Sequence, residues 1–190
     1  IVLYEFNNSG TSKTNNEQFE KNGYLAVKNL CDTDDLCVPL PKERGCINWF
    51  SDNYEEYEYE EVEQQVAGSL ARYSYPKYKK IHSQIRLKIE KILGVKLYNT
   101  YYFDRFYLPG LELSRHVDRP SCEISVSVHV SSNLEEPWPF WIKTPDVFKD
   151  KKNGIIESKG ENHAVILGEG DGVIYKGCER PHWRDRMPGT

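Results

Sequence analysis

Between residues 123 and 130 the chain alternates without a break: Ile124, Val126, Val128 and Val130 take one parity, and Glu123, Ser125, Ser127 and His129 the other. Successive side chains of a strand point to opposite faces, so this stretch is predicted as a half-buried β-strand. Such a strand needs sheet partners and a layer to cover its apolar side. Short strand-prone runs at 98–107, 139–143, 164–167 and 172–175, parted by Pro, Gly, Asn and Asp, are the expected partners. Residues 77–93 place Tyr78, Ile81, Ile85, Ile89 and Ile92 three and four positions apart, and Gly94 follows, the pattern of an amphipathic helix with a glycine stop. Helical signals early and strand signals late predict an α+β fold, mainly β, with N-terminal helices packed on a sandwich or barrel.

The remaining segments are less regular. Residues 1–16 are rich in Asn, Ser, Thr and Gly and read as a loose lead-in. From Phe19 to Val27 the sequence suggests a helix end, a turn at Gly23 and a strand. Pro39, Pro41 and Gly45 interrupt regular structure. The acidic run 54–63, with Tyr54, Tyr57, Val62 and Val66 as an intermittent apolar stripe, is expected to be a solvated helix face.

A length of 190 residues suits one domain, expected to span 1–190, and 38% hydrophobic against 28% charged residues is the balance of a folding chain. A net charge of −4 with interspersed signs offers no basic stripe, so nucleic acid is not favoured as a partner. No run reaches the ~20 apolar residues of a membrane span, and residues 1–20 lack the basic-then-apolar order of a signal peptide, so a cytoplasmic protein without membrane attachment is expected. Cys31, Cys37, Cys46, Cys122 and Cys178 are odd in number and form no CxxC, which predicts reduced thiols. A structural metal on Cys31, Cys37 and Cys46 is an alternative that lacks a fourth ligand.

The chemistry concentrates in residues 113–119. His116 and Asp118 lie two apart at a predicted strand edge, and residues i and i+2 of a strand project to the same side, so both can converge on one point. His182 follows 64 residues after Asp118, behind the turn Gly170-Asp171-Gly172 and the run Val173-Ile174-Tyr175. Two imidazoles and one carboxylate leave positions open on a six-coordinate metal, a set that suits Fe(II) and oxygen chemistry, whereas structural zinc closes its shell with a fourth residue. On spacing alone, a surface charge pair competes with this reading.

The segment Tyr107-Leu108-Pro109-Gly110-Leu111-Glu112-Leu113-Ser114-Arg115-His116-Val117-Asp118 resembles the Tyr, Gly, then His-x-Asp run of the prolyl-hydroxylase-like branch of the Fe(II)/2-oxoglutarate-dependent dioxygenases. Residues 170–185, which contain Gly-Cys-Glu-Arg-Pro-His182-Trp-Arg-Asp, resemble the distal-histidine segment of bacterial and phage members, and residues 19–30 resemble the lead-in strand. The resemblance implies a double-stranded β-helix, a jelly-roll or cupin-like barrel, with iron held at its mouth by His116, Asp118 and His182. It further implies Fe(II), O2 and 2-oxoglutarate as cofactors and co-substrate, decarboxylation to succinate, and hydroxylation of an unactivated C–H bond. The expected substrate is a small molecule, an amino acid or a peptidyl residue, proline among them. The alternative function is a cupin-type metal-binding protein that does not use 2-oxoglutarate, and a third is an interaction module with a relic site.

The family pairs the far carboxylate of 2-oxoglutarate with a basic side chain, usually from the strand after the distal histidine. Here Thr190 stands only eight residues beyond His182, so that strand reads as truncated. Arg184, which shares the strand face of His182, is the first candidate for the anchor and Arg119 the second, with Arg186 and Arg105 behind them. A surface salt bridge competes for each. Tyr107 and Tyr102 are candidates to donate a hydroxyl to the same carboxylate, against strand packing. Trp183, then Trp138 and Trp141, are candidate channel residues; His129, His82 and His163 are expected to be structural.

Overall fold

The computed structural model describes residues 11–34, 36, 39–144, 147–150, 155–158 and 160–189. Helix α1 (Ser12–Asn22) starts where Thr11 Oγ1 accepts the Thr14 N–H at 3.3 Å and stops at Gly23, whose φ of 75° turns its N–H back to the Phe19 carbonyl. The lead-in expected to reach residue 16 is therefore shorter, because the Thr11 cap and the buried Phe19 stabilise a helix across Ser12 to Asn16. Strand β1 (Tyr24–Val27) follows at once, as the glycine turn suggested.

Strands β2 (Gly45–Trp49), β3 (Tyr57–Glu60) and β4 (Leu70–Tyr73) come next. The middle of the acidic run, Tyr57–Glu60, thus forms a strand, and no part of the run is helical. Tyr57 and Tyr59 share one parity, Glu58 and Glu60 the other, and that period of two is read by pairing along β2. A 3-10 turn at Pro76–Tyr78 leads into α2 (Lys79–Leu93), which ends on Gly94 at φ 68°. The second half is all strand: β5 (Phe103–Phe106), β6 (Leu113–His116), β7 (Ser125–Val128), β8 (Phe140–Thr144), β9 (Val147–Asp150), β10 (Ile155–Ser158), β11 (Glu161–Val165), β12 (Gly172–Tyr175) and β13 (His182–Arg184).

Four sheets result, in the orders β1-β12-β7, β11-β8-β13-β6, β3-β2-β4-β5 and β10-β9. All pairs are antiparallel except β2 with β4. The fold is mainly β with two helices. No ladder joins one sheet to the next among the described residues, so the sheets are not closed into the barrel that the resemblance implied.

The sheet β1-β12-β7 is covered on both faces, and strand alternation sorts its side chains between two cores. Leu25, Val27 and Ile174 point to the helices and meet Phe19, Leu30, Ile89 and Leu93, with Ile124, Val126 and Val128 of the alternating run beside them. Tyr24, Val173 and Tyr175 point the other way, onto Phe140, Ile142 and Val165 of the second sheet. Val173, Ile174 and Ile142 are fully enclosed, each stabilising the layers by about 1.5–3 kcal/mol. Cys31, Cys46, Cys122 and Cys178 are free thiols, and Cys37 lies outside the described residues.

The turn into β12 is fastened by Asp171, which is 3% exposed. Its Oδ2 accepts from Lys28 Nζ at 2.7 Å and the Gly168 N–H at 2.9 Å, and its Oδ1 accepts the Asn29 N–H at 3.1 Å. Burial resists the charge, but the Lys28 hydrogen bond, the two backbone donors and the Lys28 charge outweigh it and hold this carboxyl below its ordinary pKa. Asp171→Asn should destabilise the protein at pH 7 by about 2–3 kcal/mol, read as a lower urea midpoint at unchanged slope. Because folding depresses the pKa, the contribution of Asp171 is complete above the unfolded value of about 3.9 and is lost as pH falls through the folded one, so the gap between wild type and variant should close in acid.

Candidate metal centre

His116 ends β6, Asp118 lies two residues past it, and His182 begins β13. Antiparallel pairing of these strands sets the His182 Cα opposite the His116 Cα, and β8 grips the other edge of β13 with Ile142 opposite His182. The two rings lie 4.4 Å apart between centroids. One ligand atom from each of His116, Asp118 and His182 falls within 4.8 Å of the others, the one such convergence of His, Cys, Asp or Glu side chains among the described residues.

Each ring is oriented by the backbone of its own strand. His116 Nδ1 lies 2.7 Å from the Ser114 carbonyl and His182 Nδ1 2.9 Å from the Arg180 carbonyl. A carbonyl oxygen only accepts, so both Nδ1 atoms carry a proton, and Nε2 is the nitrogen that each ring turns to Asp118. Those Nε2 atoms face Asp118 Oδ1 at 3.6 Å and 3.4 Å, too long for good hydrogen bonds and suited to an ion between them. Asp118 is held in turn: Ser125 Oγ donates to Oδ2 at 2.7 Å, and its own N–H donates to the Gly177 carbonyl at 2.8 Å. Burial resists ionisation of Asp118, but hydrogen bonds from the His116 and His182 rings in their protonated form, the His182 charge and the Ser125 hydroxyl overcome it and keep the carboxyl well below the usual carboxylate range. His182 is 1% exposed, packed by the rings of Phe140 at 5.7 Å and Tyr175 at 4.6 Å, while His116 and Asp118 are only half-buried. The triad is therefore dry on the His182 side and open on the other.

Arg184 shares the inward face of β13 with His182 and is also buried. Its guanidinium lies 4.8 Å from the Trp138 ring and 5.8 Å from the Phe140 ring, and Nη1 donates to the Trp138 carbonyl at 2.8 Å. Trp138 Nε1 donates to the Asp185 carbonyl at 2.9 Å, and Tyr107 meets the Trp138 ring edge-on at 4.8 Å. No carboxylate among the described residues pairs with this cation. Burial pushes its pKa down, opposed by the Tyr107 and Tyr175 hydroxyls.

The other candidates are placed elsewhere. Arg119 is exposed, stacked over Tyr101 at 4.3 Å with Nη2 donating to the Tyr73 hydroxyl. Tyr102 packs on His82 at 5.0 Å beside the Leu36, Tyr75 and Tyr78 cluster. Arg105 is spent on Glu63 at 3.0 Å, and exposed Arg186 lies near Glu112. Trp183 points away from His182 and stacks on Trp141 at 6.0 Å, so Trp138 is the tryptophan beside the buried arginine. Ser125, Gly177, Tyr175 and Phe140 complete the site and were not singled out in the sequence. The one sequence signal for Ser125 is its parity, opposite to the valines that cover the helices.

No family model matches the sequence, and no curated protein matches it. A solved structure does. The crystal structure of a Pseudomonas putida prolyl-4-hydroxylase superposes with a TM-score of 0.58 at 14% identity, covering 93% of this chain and 91% of that one. At that identity the likeness is one of fold. No helix among the described residues is long and apolar enough to cross a membrane.

Gly177 approaches Asp118 so closely that a Cβ placed there would lie 2.3 Å from Asp118 Oδ2 and 2.4 Å from Ser125 Oγ. Gly177→Ala should therefore displace the carboxylate and weaken divalent-metal binding by about 10–100-fold. Ser125→Ala, which removes only the hydroxyl, should cost about tenfold. Metal titration checks both, with thermal melting of the metal-free protein as the control for folding.

Proposed function

We propose that this chain is a non-haem oxygenase that uses Fe(II), O2 and 2-oxoglutarate to hydroxylate an unactivated C–H bond. The observation that carries the reading is the His116, Asp118, His182 triad, with both Nε2 atoms turned onto one carboxylate oxygen. Two neutral imidazoles and a carboxylate fit Fe(II), and three protein donors leave room on a six-coordinate ion. The fold likeness to a prolyl-4-hydroxylase supports the same class, and on that likeness the layered sheets are read as a double-stranded β-helix. The substrate class is a small molecule, an amino acid or a peptidyl residue, with proline included because of that neighbour.

In this reading His116, Asp118 and His182 hold the iron, and Arg184 binds the far carboxylate of 2-oxoglutarate with Tyr107 beside it. Support for Arg184 is its burial without an acidic partner among the described residues: a desolvated cation is costly until an anion arrives, and a guanidinium presents a fork that matches a carboxylate. Arg119 and Tyr102 lose their claim to that role, since each is engaged elsewhere. Bound iron would supply the oxygen chemistry, coupling decarboxylation of 2-oxoglutarate to succinate with transfer of one oxygen atom to the substrate carbon. The protein's part is to orient both imidazoles through Ser114 and Arg180, fix Asp118 through Ser125, and keep water from the His182 side with Phe140 and Tyr175.

Anaerobic protein with Fe(II) should gain a visible charge-transfer band on addition of 2-oxoglutarate, and His116→Ala should not. Under oxygen, wild type should form succinate and His182→Ala should form none; equal succinate from both would overturn the assignment. Iron that binds without producing the band would favour a cupin-type metal protein instead. Arg184→Met should raise the KM for 2-oxoglutarate by at least about tenfold while leaving iron affinity unchanged.

A further inference from the structure

Among the described residues, eight large apolar side chains stand exposed, and six of them fall between residues 40 and 62: Leu40, Phe50, Tyr54, Tyr57, Tyr59 and Val62. Lys42 and Arg44 open this region, and beyond them it carries charge of one sign. Residues 45–71 contain Asp52, Glu55, Glu56, Glu58, Glu60, Glu61 and Glu63 and neither Lys nor Arg. Two of these are neutralised from outside, Asp52 by Lys79 at 2.5 Å and Glu63 by Arg105 at 3.0 Å. Glu56 and Glu60 are bound by Ser51, Asn53, Asn48 and Gln64, neutral groups that leave the charge in place.

Both features sit on an edge strand. β3 ends its sheet, paired with β2 through four residue pairs in unbroken register, and its other backbone edge has no strand partner among the described residues. Tyr57 and Tyr59 are 53% and 41% exposed on one face, and Glu58 lies on the other. The hairpin is nonetheless anchored: Trp49 meets Tyr57 at 6.0 Å and Tyr75 at 4.8 Å, and Tyr54 meets Tyr75 at 5.8 Å. Free edges are ordinarily blunted by short length, charge, proline, a bulge or a cover; β3 has no lysine, proline or bulge, and is guarded by its four-residue length and by Glu58 and Glu60. Its carboxylates do repel another copy of the same acidic edge, and by the same charge they attract a basic one.

We propose that the free edge of β3 is a docking site for an extended, cationic segment of a partner protein. The segment adds as a strand, sets Lys or Arg against Glu58 and Glu60 on one face, with Glu55 and Glu61 flanking the strand ends, and lays its apolar side chains on Tyr57 and Tyr59 on the other. The proposal stands apart from the metal centre and does not depend on the chemistry there.

The test is fluorescence anisotropy of the full chain with a labelled octapeptide alternating Lys and Val, beside a Glu-Val peptide and a Lys-Pro peptide of the same length. The Lys-Val peptide should bind, with affinity falling by about tenfold between low and moderate salt. The Lys-Pro peptide keeps the charge but lacks half the backbone donors and should bind at least about tenfold more weakly; the Glu-Val peptide should not bind. Glu58→Lys with Glu61→Lys, both exposed, should abolish binding, with unchanged melting and metal affinity showing that the fold is intact. Absence of Lys-Val binding, equal binding of the Lys-Pro peptide, equal binding by the charge-reversed variant, or a dimer in sedimentation that occupies this edge would each overturn the proposal.

Discussion

The register of β13 against β6 is the constraint on which the site depends. His182 faces His116 because the two are Cα partners, and a slip of one residue would turn His182 and Arg184 outward and Trp183 inward. Several contacts oppose such a slip. On its far edge β13 is read by β8, with Ile142 and Trp141 opposite His182 and Trp183, and the Pro181 carbonyl accepts the Lys143 N–H at 2.8 Å. Trp183 has an outer stacking partner in Trp141, while Phe140 and Tyr175 enclose His182 on the inner side. A strand of three residues is thus held by both neighbours and by both faces.

The interior next to that strand contains two charges that the apolar core does not balance. Asp118 faces two imidazoles and accepts from Ser125, while Arg184, among the described residues, has aromatic faces and one carbonyl in place of an acid. Contacts of this kind orient a guanidinium without neutralising it, so the fold bears a desolvation cost at this position. A ligand that brings a carboxylate would remove that cost, which is why burial counts toward a binding role for Arg184 and exposure counts against Arg119. Trp138 takes part twice, through its ring and its carbonyl, and Tyr107 packs on it, so the loop before β8 contributes to the arginine's orientation although it belongs to no strand.

The alternating run at 123–130 shows how far a sequence pattern reaches. Its period announced β7, and its valines do cover the helices. Alternation says nothing of what meets the other parity. Ser125 faces Asp118 and binds it, and burial, with the charge of Arg184 behind it, lowers the pKa of His129. Ser125, Ser127 and His129 are half-buried like the valines, and of that parity Glu123 is exposed. A comparable ambiguity misled the reading of 54–63, where scattered apolar residues matched a helix loosely and the Tyr/Glu alternation of the strand was masked by uniform acidity.

The sequence by itself determined the local elements whose signals are short-ranged: the glycine-stopped α2, the Gly23 turn, β7, β8 and β12, and the pairing of His116 with Asp118 by proximity along the chain. It also offered His182 and Arg184 as candidates, since their parity on β13 is a local property. Tertiary structure alone decided that residues 64 apart meet, that Ser125 and Gly177 shape the carboxylate, that Arg119 and Tyr102 are engaged elsewhere, and that β2 and β4 pair in parallel. Those outcomes rest on strand register and on layer packing between distant segments. Propensity and period carry no information about either, because both are free energies of contact between residues that the chain does not hold together locally.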